Sequence, residues 1–253
     1  MSAPPFESLK ACLLDLSQPI AKRTHAAFYL RTNGSLDAMK VIGDALLNRS
    51  DSSLMRHELA YILGQMQLKE AYPYLSEVLD EETEDVLVRH ESAEALGAIG
   101  DSSFLDILDK YRSHHEPDIA ETCQIAVDLI TWKIEKSQSE AVSKGIYYSV
   151  DPAPPEPGVQ SLEILELNLL DTSKSLFDRY RAMFSLRNLN SDEAALVLVK
   201  GFSDESALFR HEVAYVLGQM CRFVTVEGLE SVLRNKQEHR MVNISCHIPS
   251  SVA

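Results

Sequence analysis

The chain has 253 residues, 45% of them hydrophobic, which is enough apolar side chain for a large buried core and excludes an intrinsically disordered polymer. Its 38 acidic against 24 basic side chains give a net charge of −14, which speaks against a nucleic-acid backbone as partner and suits a cationic one. No apolar run approaches the ~18 residues of a membrane span. The N-terminus lacks a basic-then-apolar secretory pattern, and Cys12, Cys123, Cys221 and Cys246 show neither a CxxC pair nor metal-knuckle spacing, so a reduced, cytoplasmic protein is expected.

Along the chain, Arg23, Arg56, Arg89 and Thr122 stand 33 residues apart. The same step joins Ala27, Ala60, Ala93 and Ala126, and again Leu30, Leu63, Leu96 and Leu129, so small and large apolar residues recur in register, as stacked helices require. Second amphipathic segments lie between, at Ser35–Asn48 and Glu70–Glu82, and strand patterns are absent. Tetratricopeptide and ankyrin signatures are missing, and a short HEAT-like repeat fits. The expected fold is all-α: a HEAT-like, superhelical solenoid of helix pairs in two arms. Residues 1–136 form the N-terminal arm, and 137–160 a linker carrying Pro152, Pro154, Pro155 and Pro157. Residues 161–242 restart the pattern as an incomplete C-terminal arm, with Phe177–Asn190 like the first rung and Arg210–Met220 like the second; 243–253 is a divergent tail.

Three of these helices carry an adjacent His-Glu pair at one place: His57-Glu58, His90-Glu91 and His211-Glu212. Core packing asks for the Leu, Ala and Gly of these segments but gives no reason for an imidazole beside a carboxylate. Neighbouring residues of a helix project ~100° apart, so one pair cannot easily converge on an ion. Helices of adjacent rungs pack ~8 to 10 Å apart, which lets His57 and His90 share a point, with Glu58 or Glu91 closing the set. Two imidazoles, a carboxylate and open positions suit a non-haem iron site that handles oxygen. A lone histidine near a helix start is more often a satisfied groove residue, and a first-turn glutamate serves the helix dipole alone. Recurrence in register, in both arms, favours the metal reading. Arg56, Arg89 and Arg210, before each pair, are expected as exposed helix-start residues, while His25, His114, His115, His239 and His247 stand outside the pattern.

Taken together, RHELAYILGQM, RHESAEALGAIG and RHEVAYVLGQM, with YRAMFSLRN, AETCQIAVD and SVDPAPPEP, resemble the deoxyhypusine hydroxylases over roughly residues 8 to 242. That resemblance implies a non-haem di-iron monooxygenase that uses molecular oxygen to hydroxylate the deoxyhypusine side chain of eukaryotic initiation factor 5A. It also implies two Fe2+ ions held by four His-Glu pairs, two from each arm. Carried over by position, His57, Glu58, His90 and Glu91 are the ligands expected from the first arm, and His211 and Glu212 those from the second. The sequence departs from the family where the fourth pair belongs: 33 residues past His211 and Glu212 stand Ile244 and Ser245. The abrupt change after Val242 reads as an alternative transcript or a shifted frame. With Pro249 close by, residues 241–247 are not expected to form a stable last helix. Hydroxylation is then expected to be absent or far below that of a chain with the fourth pair. A non-catalytic HEAT-type scaffold for a protein partner is the alternative. A relative of the HEAT-like bilin lyases is a more distant one, which leaves pairs in both arms without a reason.

Overall fold

The computed structural model describes residues 4–136, 147–158 and 160–247, the last three of these without their side chains. The chain divides into two compact units, Met1–Glu135 and Lys136–Ala253. The first contains α1 (Phe6–Leu14), α2 (Ile20–Asn33), α3 (Leu36–Leu46), α4 (Ser53–Met66), α5 (Tyr72–Asp80), α6 (Val86–Ile99), α7 (Leu105–Tyr111) and α8 (Pro117–Lys136). Among the described residues there is no strand. The second unit contains α9 (Leu162–Leu170), α10 (Leu176–Leu189), α11 (Asp192–Lys200), α12 (Ala207–Met220), α13 (Val226–Arg234) and α14 (Arg240–His247). The all-α, HEAT-like architecture expected from the 33-residue period is therefore the one observed.

Local sequence sets the ends of these helices. Ser35, Ser52 and Asp85 each accept a hydrogen bond from a backbone N–H of the first turn of α3, α4 and α6, satisfying a donor with no partner inside the helix. Gly34 and Gly100 end α2 and α6 in the left-handed conformation, and Gln67 adopts it at the same register after α4. Inside the helices the recurring Leu-Gly step has a packing cause. A Cβ on Gly64 would stand 2.8 Å from Ala95 Cα, and one on Gly97 would stand 2.9 Å from Ala126 Cα, so only glycine admits the neighbouring backbone.

The arginine that opens each rung is not the exposed residue expected from its place near a helix start. Arg56 and Arg89 are 4% and 2% exposed, and Arg210 is mostly buried. Arg56 Nε donates to Leu46 O at 2.6 Å, a carbonyl at the C-terminus of α3, where helix carbonyls lack partners. Its Nη1 and Nη2 grip Glu84 Oε1 and Oε2 at 2.8 and 2.6 Å, in the turn that leads into the next rung. Arg23 makes the same clamp between Leu13 O and Asp51, and Arg179 between Leu169 O and Asp204. Arg89 keeps the carbonyl half of the clamp, donating to Leu79 O at 3.0 Å, and lies over the Tyr111 ring. A fixed fork of donors makes both contacts at once, which explains why arginine and no other residue recurs there.

Two other expectations are corrected in the second unit. The later half of the 137–160 linker is a docked strap: Pro152, Ala153 and Pro154 are buried. Arg187 Nη1 donates to Asp151 Oδ1 at 2.8 Å, its guanidinium lies over the rings of Tyr147 and Phe184, and Glu156 N donates to Ser185 Oγ at 2.8 Å. Proline has no N–H to satisfy, so an extended proline-rich segment can be covered without a ladder partner. The second correction concerns residues 241–247, which are helical within α14. Met241 and Val242 are 1% and 0% exposed, and α14 packs on α12. Tertiary burial outweighs the weak propensity of so short a segment.

Substituting Arg56→Ala leaves a Glu84 side chain only 6% exposed with the more distant Arg49 Nε, at 3.9 Å, in place of its two-pronged partner, and leaves Leu46 O without its donor. The expected loss of stability is on the order of 3–5 kcal/mol. A lowered urea midpoint reads this loss, and Arg56→Lys recovers only part of it because an ammonium cannot make the two-pronged contact.

Candidate metal centre

The two His-Glu pairs of the first arm lie at matching positions of α4 and α6, which stack side by side. His57 is 4% exposed, His90 0% and Glu91 4%, and the two imidazole centroids are 5.5 Å apart. Glu91 Oε2 stands 3.0 Å from His57 Nε2 and 3.6 Å from His90 Nε2. One ligand atom from each of the three residues falls within 4.8 Å of the others, so His57, His90 and Glu91 are a grouping that could hold a metal ion. Glu58 stands at the other nitrogen of the ring, with Oε1 3.5 Å from His57 Nδ1. Between the two carboxylates that could close the set, the structure thus brings Glu91 to both Nε2 atoms and sets Glu58 behind His57.

Electrostatics fit the same purpose. Burial alone would strip the proton from His57, but Glu91 and Glu58 outweigh it and raise the imidazole to about 10. A buried negative field that holds a proton between His57 and Glu91 in this way is one that a divalent cation can take over, with release of that proton. Residues beyond the group fix which nitrogen carries the lone pair. Thr122 Oγ1 donates to Asp118 O at 2.6 Å and lies 3.4 Å from His90 Nδ1. With its proton committed to the carbonyl, the hydroxyl accepts from Nδ1–H, leaving the lone pair of His90 on Nε2, toward Glu91. Cys123 occupies the histidine register of the following rung, where burial pushes its thiol up to about 12, so that rung offers no thiolate.

The second arm repeats part of this arrangement. His211 and Glu212 lie in α12 and are 5% and 3% exposed. His211 Nδ1 is 3.0 Å from Met241 O, and since a carbonyl only accepts, Nδ1 carries the proton and Nε2 the lone pair. Arg210 Nη2 donates to Glu238 Oε1 at 2.6 Å, with the same 28-residue spacing as Arg56 and Glu84. This clamp sets α14 in the register of α6, with Asn243, Ile244 and Ser245 where Arg89, His90 and Glu91 stand in the first arm. The side chain of His247, the nearest other imidazole in the sequence, lies outside the described residues.

Comparisons with known proteins agree with this architecture. Residues 40–127 match the model for HEAT repeats, and residues 178–204 match that for the PBS lyase HEAT-like repeat. The deoxyhypusine hydroxylase of Candida albicans is 45% identical over 237 residues, covering 88% of this chain and 74% of that protein. The human deoxyhypusine hydroxylase is 45% identical over 240 residues, covering 95% of this chain and 78% of the relative. The solved structure of the human enzyme, in complex with glycerol, superposes with a TM-score of 0.90 over 95% of this chain and 82% of that one. The chain belongs to the deoxyhypusine hydroxylase family.

Two features of the centre carried no signal in the His-Glu pattern. Thr122 stands in the arginine register of its rung, and nothing in its sequence position alone marks it as the partner of His90. The division of labour between Glu58 and Glu91 likewise follows from the stacking direction of α4 and α6 and not from either pair alone. Thr122→Val keeps the shape and removes the acceptor for His90 Nδ1–H. Cobalt(II) affinity, read by its visible absorption in a titration, is expected to fall by about 10- to 100-fold, with Thr122→Ser close to the native chain.

Proposed function

We propose that His57, His90 and Glu91 hold a ferrous ion in the first arm, that Glu58 orients His57, and that His211 and Glu212 are the counterparts of His57 and Glu58 in the second arm. On this reading the chain is a deoxyhypusine hydroxylase working in the cytoplasm. It acts with molecular oxygen on the deoxyhypusine side chain of eukaryotic initiation factor 5A. The observation that carries it is the convergence of two buried imidazole Nε2 atoms on one carboxylate oxygen, 3.0 and 3.6 Å away, in a chain of this family. Two histidines and a carboxylate leave positions open on a metal, the arrangement that oxygen-handling iron sites share. Ferrous iron, when bound, supplies the electrons that let dioxygen insert an oxygen atom into an unactivated C–H bond.

The chain's own residues account for the remainder. Glu91 offsets the charge of the ion in a setting with almost no solvent access, which strengthens each electrostatic contact there. Thr122 and Met241 O keep His90 and His211 in the tautomer that presents Nε2. Glu58, held at His57 Nδ1, performs the same service for His57 and makes that imidazole a stronger donor. The acidic balance of the chain, at −14, favours approach of a cationic, polyamine-derived side chain. Among the described residues no helix is long and apolar enough to cross a membrane, and no membrane step is needed.

Purified chain, loaded anaerobically with ferrous iron and analysed for bound metal, is expected to retain iron. His57→Ala or His90→Ala removes it while helical content stays that of the native chain, because both residues lie on the inner face of helices held by the arginine clamps. Glu58→Ala keeps the helices and weakens retention without abolishing it. A chain that takes up no iron, or one whose iron is indifferent to His90→Ala, is a HEAT-type scaffold and not a metalloenzyme.

A further inference from the structure

We propose that the second arm builds the helical rung of a metal half-site but carries Ile244 and Ser245 at the positions that match His90 and Glu91, so that the chain binds a single ferrous ion, in its first arm. The inference rests on the metal reading above and adds how many ions this particular chain can hold.

The first arm defines the requirement. A half-site consists of a histidine on one inner helix, the histidine at the same position of the next inner helix, and the glutamate directly after that second histidine: His57, His90 and Glu91. The glutamate of a pair therefore serves the histidine of the rung before it. The rungs before Glu58 and Glu212 carry Thr24 and Tyr180 at the histidine position. In the second arm the corresponding trio is His211, Ile244 and Ser245. One of three ligands remains.

The loss is one of side-chain chemistry and not of architecture. The last helix is in place, set by Arg210 on Glu238 with the same spacing as Arg56 on Glu84. Its first turn is packed through buried Met241 and Val242, the counterparts of Leu87 and Val88. Met241 O holds His211 Nδ1 at 3.0 Å, so the tautomer of the remaining imidazole places its lone pair on Nε2. The sec-butyl side chain of Ile244 has no lone pair to offer, and the one imidazole left among the three matching positions is by itself too small a donor set for a divalent metal site.

Two substitutions, Ile244→His and Ser245→Glu, are accordingly enough to create the missing half-site without any change of backbone. The test is anaerobic equilibrium dialysis against ferrous iron and, separately, cobalt(II), with bound metal counted per chain by mass spectrometry. The native chain is expected to bind one ion, and the Ile244→His/Ser245→Glu chain two. The mirror variant, His90→Ile/Glu91→Ser, copies the second arm's residues onto the first and is expected to bind none while its helical circular dichroism stays native. Two ions on the native chain overturn the inference, with the metal reading intact. A folded Ile244→His/Ser245→Glu chain that stays at one ion also overturns it. One ion retained by the mirror variant overturns it even if the first double variant fails to fold. No metal on the native chain in either titration removes the metal reading itself, and this inference with it.

Discussion

A buried arginine fork holds this solenoid in register. The full clamp, made by Arg23, Arg56 and Arg179, takes a carbonyl from the end of one helix and a carboxylate from the turn that leads to the next rung, so a single guanidinium fixes three consecutive elements. Both acceptors are nearly out of solvent in the Arg56 clamp, where an unmatched charge would be expensive, and the clamp is therefore close to all-or-none. The distance from arginine to the helix-end carbonyl is ten residues in the clamps of Arg23, Arg56, Arg89 and Arg179. That constant span ties the turn length between paired helices to the position of the inner helix, and so to whatever the next residue carries. In α4, α6 and α12 the next residue is histidine.

The centre inherits its precision from that register. Equivalent residues of stacked helices face one another because each helix is pinned at the residue just before them. Convergence of His57, His90 and Glu91 needs no loop and no mobile segment. Sites built on rigid elements keep ligand geometry to within fractions of an ångström, which oxygen chemistry at a metal demands. The close approach that Gly64 and Gly97 permit belongs to the same design, since it brings successive inner helices near enough for side chains one rung apart to share an ion.

Much of this could be read from the amino-acid order, and the failures have physical causes. The 33-residue step revealed the helix pairs because small and large apolar residues must alternate in stacked helices, and the three His-Glu pairs stood out because packing has no use for them. Arg56 and Arg89 were misjudged as exposed since a charged residue near a helix start is ordinarily solvated; burial here depends on partners 28 and 10 residues away that no local window contains. The proline-rich strap looked like a spacer, its docking decided by Asp151 meeting Arg187. Residues 241–247 looked unable to hold a helix because propensity ignores the pocket that α12 offers to Met241 and Val242. Which glutamate faces which histidine was open for a similar reason, since the direction of stacking is a tertiary fact.

The clamp at Arg210 and Glu238 shows that the scaffold and the chemistry of a rung depend on different residues. Folding relies on the arginine, the acidic turn and the apolar face, and none of these is a metal ligand. A rung can therefore carry Ile and Ser at the positions of His and Glu and still form its helix, as α14 does. Cellular proteolytic triage responds to the population of unfolded chain, which the clamp and the apolar face set. Abundance and activity then become independent quantities: a cell could carry this chain at the level of a working hydroxylase, with nothing in its turnover to reveal how many of its sites are filled.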